Sequence, residues 1–225
     1  MQKKYNPKQT IEKIVSVSAG LFLDKGYDKT SMQDIVNALG MSKGAIFHHF
    51  KSKDDIFEAV LEKIALEQIV RYKNMLSNEM QHLSAKEKLS NLISYNLHEN
   101  ENVATKMLIP RMQDPKVVMG LMKFNMATSA PLLADIIREG VEDGSFNTKY
   151  PHECAQIVLL LLNIWCDPVI FECDMPMYRK RFEYLQHLMR ASGVDIISDE
   201  VIEQNIKLIE ILYEVKNENG NEDGN

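Results

Sequence analysis

The chain has 225 residues, 45% of them hydrophobic and 26% charged, with a formal net charge of −6. That much apolar material builds one large core or two modest ones and excludes a disordered chain. Three cysteines, an odd number, do not suggest a disulfide framework, and the polar start, without an apolar leader, predicts no secretory signal.

Asn6 and Pro7 have the character of an N-cap and first residue of a helix. Ile11, Ile14, Val15, Ser18, Leu21 and Phe22 then form an apolar stripe, and Gly26-Tyr27 ends it. Ser18 and Gly20 are poor helix formers, so they are expected to allow close packing by a neighbouring helix. Ser31 with Asp34 three residues later is a capping box. Met32, Ile35, Val36 and Leu39 make one helical face, and Gly40 supplies a left-handed stop.

Met41 is expected to pack inward and Ser42 to cap a short helix over Lys43–His49. Such a helix is too short to stand alone, so Ile46 and Phe50 must anchor it. The other face shows Lys43, Gly44, Phe47 and His48, with Gly44 and Ala45 small enough for close backbone approach. A cation at the helix start beside small residues suits docking in a DNA major groove. An ordinary helical hairpin with a polar face fits the same residues. Ser52 and Asp55 form another capping box with Lys53 in the first turn. A lysine there opposes the helix dipole, unless a phosphate lies at that helix end.

Charge is unevenly shared. Residues 1–60 hold nine lysines against seven acids, a net +2, which leaves −8 for the remainder. Local charge, not the total, meets phosphates.

Beyond Ser52, a helix carrying Ile56, Phe57, Val60, Leu61 and Ile64 is expected to run past Tyr72. Ser84 and Glu87 cap a fifth helix with Leu89, Leu92, Ile93 and Leu97 apolar. Polar 99–102 is a loop. A sixth helix spans Val103 to Met112, disturbed by Pro110, and Asp114-Pro115 starts a seventh. Pro131 kinks or restarts it, and Asp143-Gly144 ends it. Tyr150-Pro151 opens the most apolar stretch, Cys154 to Phe171, which Gln156, Asn163 and Asp167 interrupt and Pro168 breaks. That makes it a buried core helix rather than a membrane span. A helix apolar nearly all round needs cover on two sides, one of which a second subunit can supply. The Tyr178–Met189 segment, with Phe182, Leu185, Leu188 and Met189 on one face, fits as its partner. Gly193 ends that helix, and Ser198 starts a last one with Val201, Ile202, Ile206, Ile209 and Leu212. Residues 217–225 are acidic and Gly/Asn-rich, so disorder is expected. No strand pattern of useful length and no internal repeat is present. The fold expected is all-α: a helix-turn-helix domain over 1–55, a larger helical domain over 56–216, and the tail.

The ordered set Ile14, Leu21-Phe22, Gly26-Tyr27, Thr30-Ser31, Asp34-Ile35, Gly40-Met41-Ser42-Lys43-Gly44, Ile46-Phe47, His49-Phe50 and Lys53 resembles the TetR family of bacterial transcriptional regulators. The resemblance covers about the first quarter of the chain. It implies a cytoplasmic, homodimeric DNA-binding regulator, most simply a repressor. Thr30, Ser42, His49 and Lys53 would hold phosphates. Lys43 and His48 would approach base edges, Ala45 would touch a base or sugar, Gly44 would permit the approach, and Phe47 would pack on backbone or a thymine methyl. The partner implied is a pseudo-palindromic double-stranded operator. The resemblance places the dimer interface in late helices, here around 152–172 and 175–192. The family most often has Tyr where Phe47 stands, so a common phosphate bond is missing.

The family also implies a small-molecule effector among the central helices. Met107, Met112, Met119, Met122 and Met126 lie close in sequence, and methionine adapts to a flexible apolar guest, although it also fills irregular cores. Trp165 is a pocket wall or an interface residue. Arg111 and Arg138 are anchors for an acidic group or plain surface charges. Neither cofactor nor metal is implied: His152 and Cys154 lack partner ligands, and adjacent His48 and His49 point apart on a helix. Cys154, Cys166 and Cys173 are expected as buried thiols. Two other readings stay open: an activator or a regulator displaced by a protein partner, and, remotely, a helical enzyme using the Cys/His residues, for which no catalytic constellation is present.

Overall fold

A computed structural model of the chain describes residues 6–99 and 111–220. Among the described residues there are ten α-helices and no strand: α1 Pro7–Lys25, α2 Met32–Leu39, α3 Lys43–His49, α4 Lys53–Asn78, α5 Ala85–Glu99, α6 Pro115–Phe124, α7 Ala130–Asp143, α8 Pro151–Leu160, α9 Met175–Ala191 and α10 Asp199–Gly220. They divide into two compact units. The first holds α1 to α3, α4 through Val70, and Arg111; the second holds the rest.

In the first unit the Asn6 side chain accepts from the Lys8 amide at 3.1 Å, and Pro7 follows. Ile14, Val15, Ser18 and Phe22 are buried, whereas Ile11, at the start of the stripe, is 39% exposed. The ring of Phe22 lies 5.4 Å from Tyr27 and 5.7 Å from Phe57, and Tyr27 lies 4.7 Å from Phe57. These tilted and edge-on contacts join α1 to α4 through one aromatic cluster. Ile56, Phe57, Val60 and Leu61 are all buried. The first unit therefore runs beyond the boundary expected at residue 55, because the start of α4 supplies one wall of its core. Ser18 is fully buried, but a Cβ on Gly20 would meet nothing within 4 Å. The close packing expected at Gly20 is absent.

In the second unit, α5 (Leu89, Leu92), α7 (Ala134, Ile137), α8 (Ala155, Val158), α9 (Phe182, Leu185, Met189) and α10 (Val201, Ile202, Ile206) share one core. Polar staples fix its edges. Ser84 and Glu87 form the expected capping box, and Asp143, at the end of α7, accepts from the Ala85 amide at 2.8 Å. One carboxylate thereby joins two helix ends. Lys88 is buried and pairs with Glu139 across α5 and α7. Asp195 receives both Lys86, at 2.8 Å, and Arg190, at 2.9 Å. Asp174 caps α9 by accepting from the Met177 amide at 2.8 Å. Ser198 accepts from the Val201 amide at 3.2 Å and so caps α10.

Pro131 stands in the first turn of α7, which starts at Ala130, while the chain stays helical ahead of it. A wide π turn over Asn125–Ser129 carries α6 into α7 ahead of it, which accommodates a ring lacking an amide hydrogen. A second π turn, Leu161–Trp165, ends α8, and Asp167 then accepts from the Val169 and Ile170 amides at 2.7 and 3.2 Å. The continuous run Pro115–Asp143 is long and apolar enough by composition to cross a membrane, and little of it is buried within its own chain. A helix facing a ligand or a second subunit has the same property. The tail expected to be disordered begins inside α10, which reaches Gly220; residues 221–225 lie outside the described residues, as does most of the expected sixth helix, with Met107 in it.

Candidate nucleic-acid interface

The α2–α3 hairpin is built from local rules. Ser31 accepts from the Asp34 amide at 3.1 Å, and Asp34 accepts from the Ser31 amide at 2.8 Å, closing the capping box. The Ser31 hydroxyl, donating to the Asp34 carboxylate at 2.6 Å, comes first, then the Ser31 amide, with Lys25 at 3.1 Å adding to them, in holding the Asp34 carboxyl well below the usual carboxylate range. Gly40 takes φ 63°, where only glycine sits without strain, and its amide donates to Val36 and Asn37. Ser42 accepts from the Ala45 amide at 3.3 Å. A serine cap contributes about 1 kcal/mol to a helix.

The seven residues of α3 are held from below. Ile46 is fully buried and Phe50 nearly so; burial of a side chain of that size contributes roughly 1.5–3 kcal/mol. The opposite face is bare. Ser42, Lys43, Gly44, Phe47 and His48 are exposed, and Ala45 and His49 are half-buried. The Lys43 ammonium stands 5.6 Å from the centre of the Phe47 ring, and the His48 and His49 rings meet edge-on at 5.1 Å. Beyond its chain neighbours and its own helix backbone, nothing stands within 4 Å of a Cβ built on Gly44. A cation, an aromatic face, an imidazole and open backbone thus lie on one short ridge, the arrangement a major groove accepts.

Two residues expected on phosphates serve the fold. Thr30 is buried, and its hydroxyl donates to the Gly26 carbonyl at 2.7 Å, so it points inward rather than toward a phosphate. The Lys53 ammonium donates to the Tyr27 and Thr30 carbonyls, each at 2.8 Å, and lies 4.0 Å from the Tyr27 ring centre. Those carbonyls, more than a phosphate, explain a lysine at the start of α4. The Ser52–Asp55 box is present, with Ser52 and the Lys51 amide holding the Asp55 carboxyl below its ordinary range.

Arg111 also differs from expectation. Expected either as an anchor for an acidic group or as a plain surface charge, it has its Nη2 3.3 Å from Asp54 and its guanidinium 4.3 Å from the Tyr27 ring centre. Tyr27 donates its hydroxyl to the same Asp54 oxygen. Burial first, then Asp54, pushes the Tyr27 phenol well above its usual range. No spacing in the sequence links residues 27, 54 and 111; only Gly26-Tyr27 as a helix end was readable.

In the second unit Met112 is buried, Met122 and Met126 are half-buried, and Met119 is 51% exposed. Trp165 meets Tyr184 edge-on at 5.9 Å and Arg181 at 6.0 Å, which puts it between α8 and α9. Arg138 pairs with Asp135 at the surface at 2.6 Å.

Residues 14–60 match the family model described as bacterial regulatory proteins, tetR family, and residues 94–181 match a tetracyclin repressor-like C-terminal domain. The chain is 28% identical over 145 residues to the HTH-type transcriptional repressor KstR2 of Mycolicibacterium smegmatis, covering 62% of this chain and 69% of that protein. It is 38% identical over 72 residues to the uncharacterised HTH-type regulator YwcC of Bacillus subtilis, 31% of this chain and 32% of that one. Among solved structures, RolR bound to resorcinol superposes with a TM-score of 0.62 at 15% identity, over 88% of this chain and 93% of that one. A putative regulator of Saccharomonospora viridis in complex with choline gives 0.51 at 20% identity, over 81% and 96%.

Proposed function

The chain belongs to the tetR family and is a DNA-binding transcriptional regulator, and from that premise we infer that it is a repressor released from its operator by a small molecule. The observation that carries the DNA-reading part is the exposed Lys43–Gly44–Phe47–His48 ridge on a helix anchored by buried Ile46. In this reading Lys43 and His48 reach base edges, Ala45 and Phe47 make apolar contact, and Ser42 and His49 meet phosphates. Two copies bring two such helices roughly 34 Å apart, so the operator is a pseudo-palindrome.

The dimer forms through α8 and α9, where Ile157, Met177 and Tyr184 leave apolar surface uncovered on the protomer. The effector lies in the second unit near Met112, Met122 and Met126. RolR holds resorcinol and another fold relative holds choline, which supports a guest of that size. A ligand that favours the form whose recognition helices are wrongly spaced weakens DNA binding, and DNA weakens ligand binding equally.

The test is fluorescence-anisotropy binding of the purified protein to duplex DNA from upstream of its own coding region, over a salt series. Saturable binding that prefers this duplex to a scrambled one, with affinity falling as salt rises, supports the reading. Equal, weak binding to both duplexes argues against it.

A further inference from the structure

The chain leaves the first unit within α4, after Val70, and again after Arg111. Met112 is buried in the second unit, and the Arg111 side chain, 19% exposed, sits on the first. Its guanidinium lies 4.3 Å from the Tyr27 ring centre and 5.9 Å from that of Phe57. The Tyr27 ring also carries Lys53 at 4.0 Å, and one Asp54 oxygen takes both the Tyr27 hydroxyl and Arg111. Lys53 in turn holds the carbonyl of Thr30, the residue before the α2 cap.

The ion pair is a small part of this. Asp54 is 60% exposed, and pairs in water contribute little. The planar guanidinium over a largely desolvated ring contributes more, and a lysine cannot reproduce that stacked, forked contact.

We propose that Arg111 is a positioning residue for DNA recognition: within the first unit it clips to the Tyr27–Asp54 node and so holds the turn before α2, and with it the α2–α3 hairpin, in the orientation that binds an operator. The proposal rests on the DNA-binding reading above.

The test starts from an operator selected by the wild-type protein from a random duplex library. Anisotropy then compares wild type, Arg111→Ala, Arg111→Lys, Asp54→Ala and the Arg111→Ala/Asp54→Ala double variant on that operator and on a scrambled duplex. Arg111→Ala is expected to lose about tenfold in operator affinity, with little change on the scrambled duplex and an unchanged melting temperature of the second unit. Arg111→Lys is expected to recover only part of the loss. Adding Asp54→Ala to Arg111→Ala should cost less than Asp54→Ala costs alone, because the two act as one unit. Unchanged operator affinity in Arg111→Ala, equal loss on both duplexes, or full additivity would overturn the proposal. If the wild type selects no operator, the DNA-binding reading itself fails. The proposal is then judged by hydrogen exchange: faster exchange of the 27–34 amides in Arg111→Ala upholds the clip, and unchanged exchange overturns it.

Discussion

The ammonium of Lys53 lies 4.0 Å from the centre of the Tyr27 ring and donates to the Tyr27 carbonyl at 2.8 Å. One side chain therefore closes the end of α1 onto the start of α4 by a cation–π contact and a charged hydrogen bond. Its value lies in stability before it lies in phosphate binding. Lys53→Met, which keeps the stem and removes the charge, is expected to destabilise the first unit by about 1–2 kcal/mol, read by chemical denaturation. Full stability in Lys53→Met, with a flatter salt slope in DNA binding, would return this lysine to a phosphate.

Lys43 is the opposite case. Its ammonium meets the exposed Phe47 ring at 5.6 Å and no buried group. Lys43→Ala is expected to leave the melting temperature unchanged and to reduce discrimination between operator and base-substituted operators by about 1–3 kcal/mol. Phe47→Tyr is expected to strengthen binding to every duplex by about 1 kcal/mol, since the added hydroxyl reaches backbone rather than bases. A loss that is the same on all sequences for Lys43→Ala would show that another face reads DNA.

Asp34 and Asp55 are held below the usual carboxylate range, chiefly by Ser31 and Ser52 respectively. A depressed folded-state pKa gives stability that is complete above the unfolded-state value of about 3.9 and is lost as pH falls through the folded-state value. Thermal melts should therefore hold steady from neutral pH down to mildly acid conditions and drop below about pH 4. Asp34→Asn should start lower and fall less steeply. A parallel fall in the two proteins would mean that this carboxylate is not part of the acid transition.

Gly193 takes φ 78°, and a Cβ there would stand 1.8 Å from the Asn147 carbonyl oxygen, which is backbone and cannot swing away. The Asn147 amide also donates to the Gly193 carbonyl at 2.9 Å. Gly193→Ala is expected to destabilise the second unit by roughly 3 kcal/mol or more. Gly20→Ala, in open helical space, should instead stabilise the first unit by about 0.5–1 kcal/mol. Calorimetry of the two variants checks both signs.

Burial pushes the Cys166 thiol up to about 12 and raises that of Cys173 as well. Thiolate is the reactive form. In the native protein at neutral pH, Cys166 should resist a chromogenic disulfide reagent and react only after denaturation. Cys173→Ser should leave operator binding under mild peroxide unchanged. Rapid native labelling of Cys166, or a peroxide response that disappears in Cys173→Ser, would point to redox control.

Much of the fold was readable because its signals are local. A capping serine meets an amide three residues on, as at Ser31, Ser84 and Ser198, and a glycine stop such as Gly40 or Gly193 needs only its own φ. Helical spacing also fixed which residues of α3 share a face, so Ile46 against Lys43 and Phe47 was legible before any coordinate. Side-chain partners across the fold were not. Thr30 and Lys53 have the residue types of phosphate ligands; Thr30 turns onto the Gly26 carbonyl four residues back, whereas Lys53 reaches the Tyr27 and Thr30 carbonyls only because the fold brings the start of α4 to the end of α1. Arg111 reaches Asp54 across 57 positions of sequence. Periodicity determines the phase of a helix within a few residues; which distant ring or carbonyl a long side chain meets depends on how the helices pack, and that the tertiary structure alone decides.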